Sequence, residues 1–340
     1  MVLIFSNKED SHPNNVIRYL NEWKVPVFRL NGESLLTDYQ FTWHIDEKGE
    51  DFSIRNIKNG LLLNGNEITA VWDRRPVPPS ELLIEHPNPE INKHNLEEGH
   101  EFLSYLRYYL KNIYSIGSIV EDRPAASKML QLAIAQSLGM CIPATCFSNR
   151  KEPIISFSQQ YPFLTLKSLY SGNVNISETE ELVFFSQRVK SEDLLQQPEE
   201  AFSHTANFVQ NYVEKAYELR VTVINQDIIA CKIDSQIQDD DKGKIDWRQG
   251  YDYDLKHEIV ELPERINQFC LDFLKRMKLN FGCFDFIVTP KGEYVFLECN
   301  PNGQWLWIEM ETGYDISKIM AKNLAKYETV PLFSNTSGSI

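Results

Sequence analysis

Long apolar runs are missing from this chain of 340 residues. No stretch approaches the roughly eighteen consecutive apolar residues that a membrane-crossing helix needs, so membrane insertion is not expected. The start, "MVLIFSNKED", also lacks a basic region ahead of its apolar run. It reads as a first β-strand and not as a signal peptide, which places the protein in the cytoplasm. The six cysteines (Cys141, Cys146, Cys231, Cys270, Cys283 and Cys299) contain no CxxC pair. Several lie in apolar stretches as small hydrophobes, and reduced thiols are expected. Histidine is scarce, with seven residues spread along the chain and no Ser-His-Asp or Cys-His arrangement. Covalent nucleophilic catalysis by the protein is therefore not expected. Positive charge is in deficit, with 34 Lys and Arg against 48 Asp and Glu for a net charge of -14. That balance argues against a general nucleic-acid binder, because phosphate backbones select clusters of Lys and Arg.

What is present is ordinary globular composition, 42% hydrophobic and 24% charged, with length for two or three domains. "MVLIFSN" followed by "NNVIRYLNEWKVPVFRLN" reads strand, amphipathic helix, strand, with Val16, Leu20 and Trp23 on one helix face. Short strands follow at "FTWHI", "FSIRNI" and "AVWDR", with Asn64-Gly65-Asn66 as a turn, and then a long helix from about Asn95 to Tyr114. This first unit spans residues 1–118. A second, residues 119–206, opens with a helix whose apolar face is Met129, Leu132, Ala133 and Leu138 and which Gly139 ends. It continues through the strand "PFLTLKSLY". A third, residues 207–330, contains antiparallel strands from "NFVQNYVEKAYELRVTVINQDIIACKIDSQ" and the helix "ERINQFCLDFLKRMKL". Residues 331–340 read as a disordered tail. The fold class is α/β (α+β).

The segment "FDFIVTPKGEYVFLECNPNGQW" reads as a β-hairpin turning at Pro290-Lys291-Gly292. Antiparallel pairing brings Asp285 beside Glu298, with Asn300 projecting to the same face. Two adjacent carboxylates repel and call for a cation. Carboxylate and amide oxygens suit a hard ion such as magnesium, which binds through few carboxylates plus substrate phosphates, and this implies a nucleotide. The alternative is an exposed hairpin whose acids face water. Further charges fall inside apolar strands: Lys167, Glu218 and Arg220 flanking Leu219, Lys232 and Asp234. Each alone is compatible with a solvated face.

Lys128 before a helix, Lys167 in a strand, "FVQNYVEKAYELRV", then "DWR" (Asp246 to Arg248), Asp285 and "ECNPNG" follow an order similar to that of the ATP-grasp ligases, across almost the whole chain. "YELRVTVINQDIIACKIDSQ", "DWR" and the hairpin further resemble the branch that macrocyclises ribosomally made peptides. These are the microviridin- and plesiocin-type graspetide synthetases, with the Ser- and Thr-rich precursors of grasp-with-spasm systems as the nearest type. The resemblance implies an ATP-grasp fold with an N-terminal βαβ domain, a small central domain and a C-terminal ATP-grasp domain. It implies that Lys128 and Lys167 contact ATP from the central domain, with Lys232 counted among the nucleotide-binding residues. Gln210, Asn211, Tyr212 and Val213 would form the hinge whose backbone reads adenine, and Glu218 would hold the ribose. Asp285, Glu298 and Asn300 would hold magnesium. Arg220 and Arg248 would face the γ-phosphate and the substrate carboxylate, where a planar guanidinium binds oxyanions bidentately. In "VWDRRP", Arg74 and Arg75 are candidate substrate contacts, with surface arginines at a strand end as the alternative.

One departure is that "KSLYSGNVN" has only Gly172 where some ATP-grasp enzymes carry a glycine-rich phosphate loop. The acidic run Asp239 to Asp241 reads as a solvated loop before a metal site. The implied reaction converts an Asp or Glu side chain of a precursor peptide into an acyl phosphate. A Ser or Thr hydroxyl then closes an ω-ester, or a Lys amine an ω-amide. The partners implied are the leader and core of that peptide, no nucleic acid and a second copy in a homodimer. Two alternatives stay open: a ligase joining an amino acid to a peptide or protein, and a catalytically silent peptide binder.

Overall fold

The computed structural model describes residues 1–117, 122–170, 173–176, 181–237, 244–247 and 255–327. Arg248, the run Asp239 to Asp241, Gly172 and the C-terminal tail fall outside the described residues.

The chain opens as expected, with strand Val2–Ser6, helix His12–Glu22 and strand Val27–Asn31. Val16 and Leu20 are buried, but Trp23 is the C-cap and is exposed, so the inward face ends one turn earlier than its spacing predicts. The first sheet is parallel, in the order Val27–Asn31, Val2–Ser6, Ala70–Asp73, Ser115–Ile116. The intervening strands Tyr39–Asp46, Gly49–Asn56 and Leu62–Asn64 form a separate antiparallel sheet. Asn64 and Glu67 cap a single 3-10 turn between them and the parallel sheet. The long helix runs Pro89–Tyr109, beginning earlier than its apolar periodicity suggests. Asn88 caps it by accepting the Glu90 N–H, and proline is favoured at the first helical position.

A four-stranded antiparallel sheet follows, ordered Gln187–Lys190, Phe163–Lys167, Asn207–Asn211, Thr145–Ser148. Strand Asn207–Asn211, which the sequence reading put at the head of the third unit, hydrogen-bonds into this central sheet. The preceding helix Lys128–Ser137 is capped by Ser127 and followed by Gly139 at φ +74. Its buried side chains are Gln131, Leu132 and Ala135, while Met129 and Ala133 are exposed. The inward face is thus rotated from the expected apolar stripe, and a polar residue takes part in it.

The five-stranded antiparallel sheet runs His257–Val260, Asp227–Ile233, Tyr217–Ile224, Phe281–Val288, Tyr294–Asn300. One face packs Leu219, Val221, Phe284, Phe286 and Phe296 against helices Lys128–Ser137 and Glu264–Arg276. The other face is divided. At one end, Ile224, Phe281 and Cys283 share a core with Val2, Ile4 and Trp72 of the first sheet and with helix Ile316–Ala325. At the other end, Glu218, Arg220 and Asp285 face an open cleft whose far wall includes Thr165, Lys167 and Gln210 of the central sheet. Among the described residues no helix is long and apolar enough to cross a membrane. None of the six cysteines is disulfide-bonded.

Candidate active site between two antiparallel sheets

Alternation along the strands decides what reaches the cleft. Along Tyr217–Ile224 the apolar residues Leu219, Val221 and Val223 enter the aromatic core, which turns Glu218 and Arg220 the other way. Opposite Arg220 in register stands Asp285, and opposite Asp285 stands Glu298. The hairpin contains a bulge between Asp285 and Phe286, where Phe286 pairs with Phe296 and Leu297 is the extra residue. In an uninterrupted strand, Phe296 and Glu298 share a face. The bulge reverses the parity, so Phe296 stays in the core while Leu297, Glu298 and Asn300 line the cleft.

The cleft holds about 930 Å³, open solvent at its mouth included. Arg220 Nη1 donates to both Asp285 oxygens at 2.8 and 2.7 Å, and its Nε is buried with no hydrogen-bond partner among the described residues. Burial works against the Arg220 charge, but Asp285 outweighs it and holds the guanidinium above its ordinary pKa. Lys128 Nζ donates to the Ser168 carbonyl at 2.8 Å and stands 3.7 Å from Glu298. Lys167 is half-buried on the opposite wall. Burial lowers its pKa, with the charge of Glu298 opposing and those of Lys128 and Lys215 adding to the fall.

Glu218 is buried, with Lys215 Nζ at 2.6 Å and Ser235 Oγ at 2.9 Å, both donating to Oε1. Gln210, Asn211, Tyr212 and Val213 line the cleft. Two of their backbone donors are already used, Asn211 N–H by the Ala144 carbonyl and Tyr212 N–H by that of Phe163. The Gln210 side chain donates to Thr145 Oγ1.

The structure brings Lys167, Gln210 to Val213, Glu218, Arg220, Asp285, Glu298 and Asn300 together around one cleft, with Lys128 at its edge. It does not bring Lys232 there. Lys232 is in register with Leu219, so it points to the opposite face of the sheet, where it pairs with Asp234 at 2.8 Å and lies over the Tyr217 ring. Arg74 is likewise not a cleft residue. It is buried and binds the Asn302 and Gly303 carbonyls, and Arg75 also donates to Asn302 O. Burial pulls the Arg74 pKa down to about 10, with Asp10 opposing.

Lys215, Thr165 and Ser186 also line the cleft, and the sequence analysis did not single them out. The signal for Lys215 was its spacing of three from Glu218. Asp246, quoted only as part of a motif, is buried and accepts the Ser186 N–H. Gln131 was missed too. Its amide donates to Cys299 O at 2.7 Å and accepts Cys299 N–H at 2.8 Å, pairing with the residue between Glu298 and Asn300 as a neighbouring strand would.

The donor set fits a hard cation: two carboxylates and an amide oxygen on one wall, with the cationic side chains of Lys128, Lys167 and Arg220 around them. Among the described residues no group of three or more His, Cys, Asp or Glu side chains is placed to hold a metal ion. A cation between Asp285, Glu298 and Asn300 would thus complete its shell with phosphate oxygens and water.

Two antiparallel sheets closing on a charged cleft of this kind define the ATP-grasp class of ligases. Residues 129–324 match the RimK-like ATP-grasp domain, and the chain belongs to that family. It is similar over 95% of its length to the macrocyclase MdnC of Microcystis aeruginosa bound with the precursor peptide MdnA, at 26% identity and TM-score 0.79, covering 99% of that chain. It is similar over 98% of its length to a Chryseobacterium gregarium RiPP-associated ATP-grasp ligase in complex with ADP and a leader and core peptide, at 25% identity and TM-score 0.85, covering 99% of that chain. The macrocyclase MdnB of Microcystis aeruginosa matches 96% of the chain at 25% identity and TM-score 0.74, covering 99% of its own. No curated protein matches.

Proposed function

We propose that this enzyme is an ATP-dependent macrocyclase of a ribosomally made precursor peptide. The observation that carries the reading is the extent of the likeness: a peptide-bound macrocyclase and a peptide-bound ATP-grasp ligase align over 95% and 98% of this chain, beyond the residues of the ATP-grasp domain itself. In the proposed reaction a side-chain carboxylate oxygen of the peptide attacks the γ-phosphorus of ATP. ADP leaves, and the peptide carries an acyl phosphate. A peptide hydroxyl then attacks the acyl carbon, phosphate departs with the C–O bond electrons, and the hydroxyl proton passes to solvent. The ring closes through an ω-ester, or through an ω-amide where the nucleophile is a Lys amine.

This chemistry asks the protein for position and charge more than for a covalent group. Lys167 and Lys128 provide positive charge for the phosphates. Arg220, fixed by Asp285 through Nη1, is left with Nη2, 3.5 Å from the Gln304 carbonyl, for an oxyanion in the cleft. Glu218, oriented by Lys215 and Ser235, is the proposed ribose ligand, and Gln210 to Val213 the adenine-side wall. Asp285, Glu298 and Asn300 are assigned to magnesium, which when bound neutralises phosphate charge. Arg248 is assigned to the substrate carboxylate from the family resemblance alone. We further propose a cytoplasmic homodimer, for which light scattering of the purified chain is the test.

Mass spectrometry of the candidate precursor after incubation with enzyme, ATP and magnesium tests the function. One water lost per ring is expected, reversed by mild base for esters and stable to it for amides. Glu298→Ala is expected to lower the rate by about a hundredfold or more, because it removes a ligand proposed for the magnesium that would neutralise the charge of the transferring phosphoryl group. An intact precursor, with ADP released only when a free amino acid is added, would overturn the macrocyclase in favour of a two-substrate ligase.

A further inference from the structure

The turn that follows Asn300 is held from outside its own sheet. Arg74, at the end of strand Ala70–Asp73, donates through Nη1 to Asn302 O at 2.7 Å and Gly303 O at 3.0 Å. Its Nε pairs with Asp10 Oδ2 at 2.8 Å. Asp10 Oδ1 lies 2.7 Å from Nδ1 of His12, and His12 Nε2 faces the N–H groups of Trp305 and Leu306 at 3.2 and 3.3 Å. Because Nε2 accepts two backbone donors, the ring proton sits on Nδ1 and is donated to Asp10. One buried network from the N-terminal sheet thus grips the chain from residue 302 to residue 306. Its link to the cleft is the N–H of Asn302, which donates to Asn300 Oδ1 at 2.9 Å. A buried guanidinium is costly unless paired, and this one has the Asp10 carboxylate as an ion-pair partner beside Nε and two carbonyls at Nη1, while Nη2 is buried with no hydrogen-bond partner among the described residues.

We propose that Arg74, backed by Asp10 and His12, is a positioning residue for the metal-ligand set of the cleft, fixing the turn whose Asn302 N–H aims the Asn300 side-chain oxygen. This rests on the reading of Asp285, Glu298 and Asn300 as a magnesium–nucleotide site. Lysine at position 74 keeps the charge but lacks the planar fork that serves the carboxylate and both carbonyls together.

The test is titration calorimetry of ADP on the full chain, with and without magnesium, for wild type, Arg74→Lys and Asp10→Asn, with thermal melts to establish folding. The expected result is that folded variants keep their metal-free ADP affinity within about twofold and lose about tenfold or more of the magnesium-dependent gain, as when a group that orients a metal ligand is removed. A variant that melts like wild type and keeps the full magnesium gain overturns the proposal. Asp10→Asn decides the matter alone if Arg74→Lys does not fold. A wild type that binds ADP without any magnesium gain removes the reading of the cleft, and this inference with it.

Discussion

Glu218 illustrates how much of the site depends on single side chains. Its carboxylate is buried, and Lys215 is the cation beside it, in turn held by the Ile245 carbonyl at 2.9 Å. Lys215→Met leaves that carboxylate buried without its counter-charge. A loss of about 3–5 kcal/mol in urea-unfolding free energy is expected, and a loss below about 1 kcal/mol would show that water screens the pair. Tyrosines offer a pH prediction. Burial pushes Tyr39 and Tyr114 up to about 12. A phenol whose folded pKa is raised above the ordinary value of about 10 contributes stability fully below that pH and loses it as pH climbs toward 12. In an absorbance titration at alkaline pH, these two are expected to stay out of the main wave, with Tyr114→Phe shrinking the late one. A single wave near pH 10 with the fold intact would contradict their burial.

At the scale of elements, strand Tyr294–Asn300 lies at the edge of its sheet yet carries two of the proposed metal ligands. Its outer edge is not left open. Phe296 N–H donates to Cys141 O, and Gln131 pairs with both backbone groups of Cys299. Gln131→Leu removes the partner of the Ala125 and Cys299 carbonyls and of the Cys299 N–H, which predicts about 2–4 kcal/mol of destabilisation by denaturant titration. A neutral result would mean that the helix and strand repack. The hairpin itself was legible: alternation identified Asp285, the turn residues located its bend, and pairing brought Glu298 alongside. The bulge at Leu297 was not legible, because strict alternation puts Phe296 and Glu298 on one face, and only the aromatic core shows which of them must turn inward. The inward face of helix Lys128–Ser137 was hidden for a similar reason. The buried glutamine is satisfied by the Ala125 carbonyl six residues away and by both backbone groups of Cys299, 168 residues away.

At the scale of the molecule, the first parallel sheet and the five-stranded sheet share an apolar core with helix Ile316–Ala325. Removing residues 1–117 uncovers Ile224, Phe281, Trp305 and Met320, all fully or almost fully buried. Such a truncated chain is expected to aggregate or to lose its cooperative melt, whereas a soluble, cooperatively melting product would show that the later sheets fold alone. The same packing brings Arg74 to the turn after Asn300, a contact between residues 228 apart.

Periodicity, turn chemistry and residue type are local properties, and they were enough to identify the βαβ start and the hairpin with Asp285, Glu298 and Asn300, whereas the roles of Lys128, Lys167, Glu218 and Arg220 came from the family resemblance. The face of the sheet to which each charge turns is different. It depends on register, on one bulge and on what packs behind the strand. That is why Lys232 turned out to lie away from the cleft, why Arg74 serves the turn behind it, and why Lys215 and Gln131 became visible only in three dimensions.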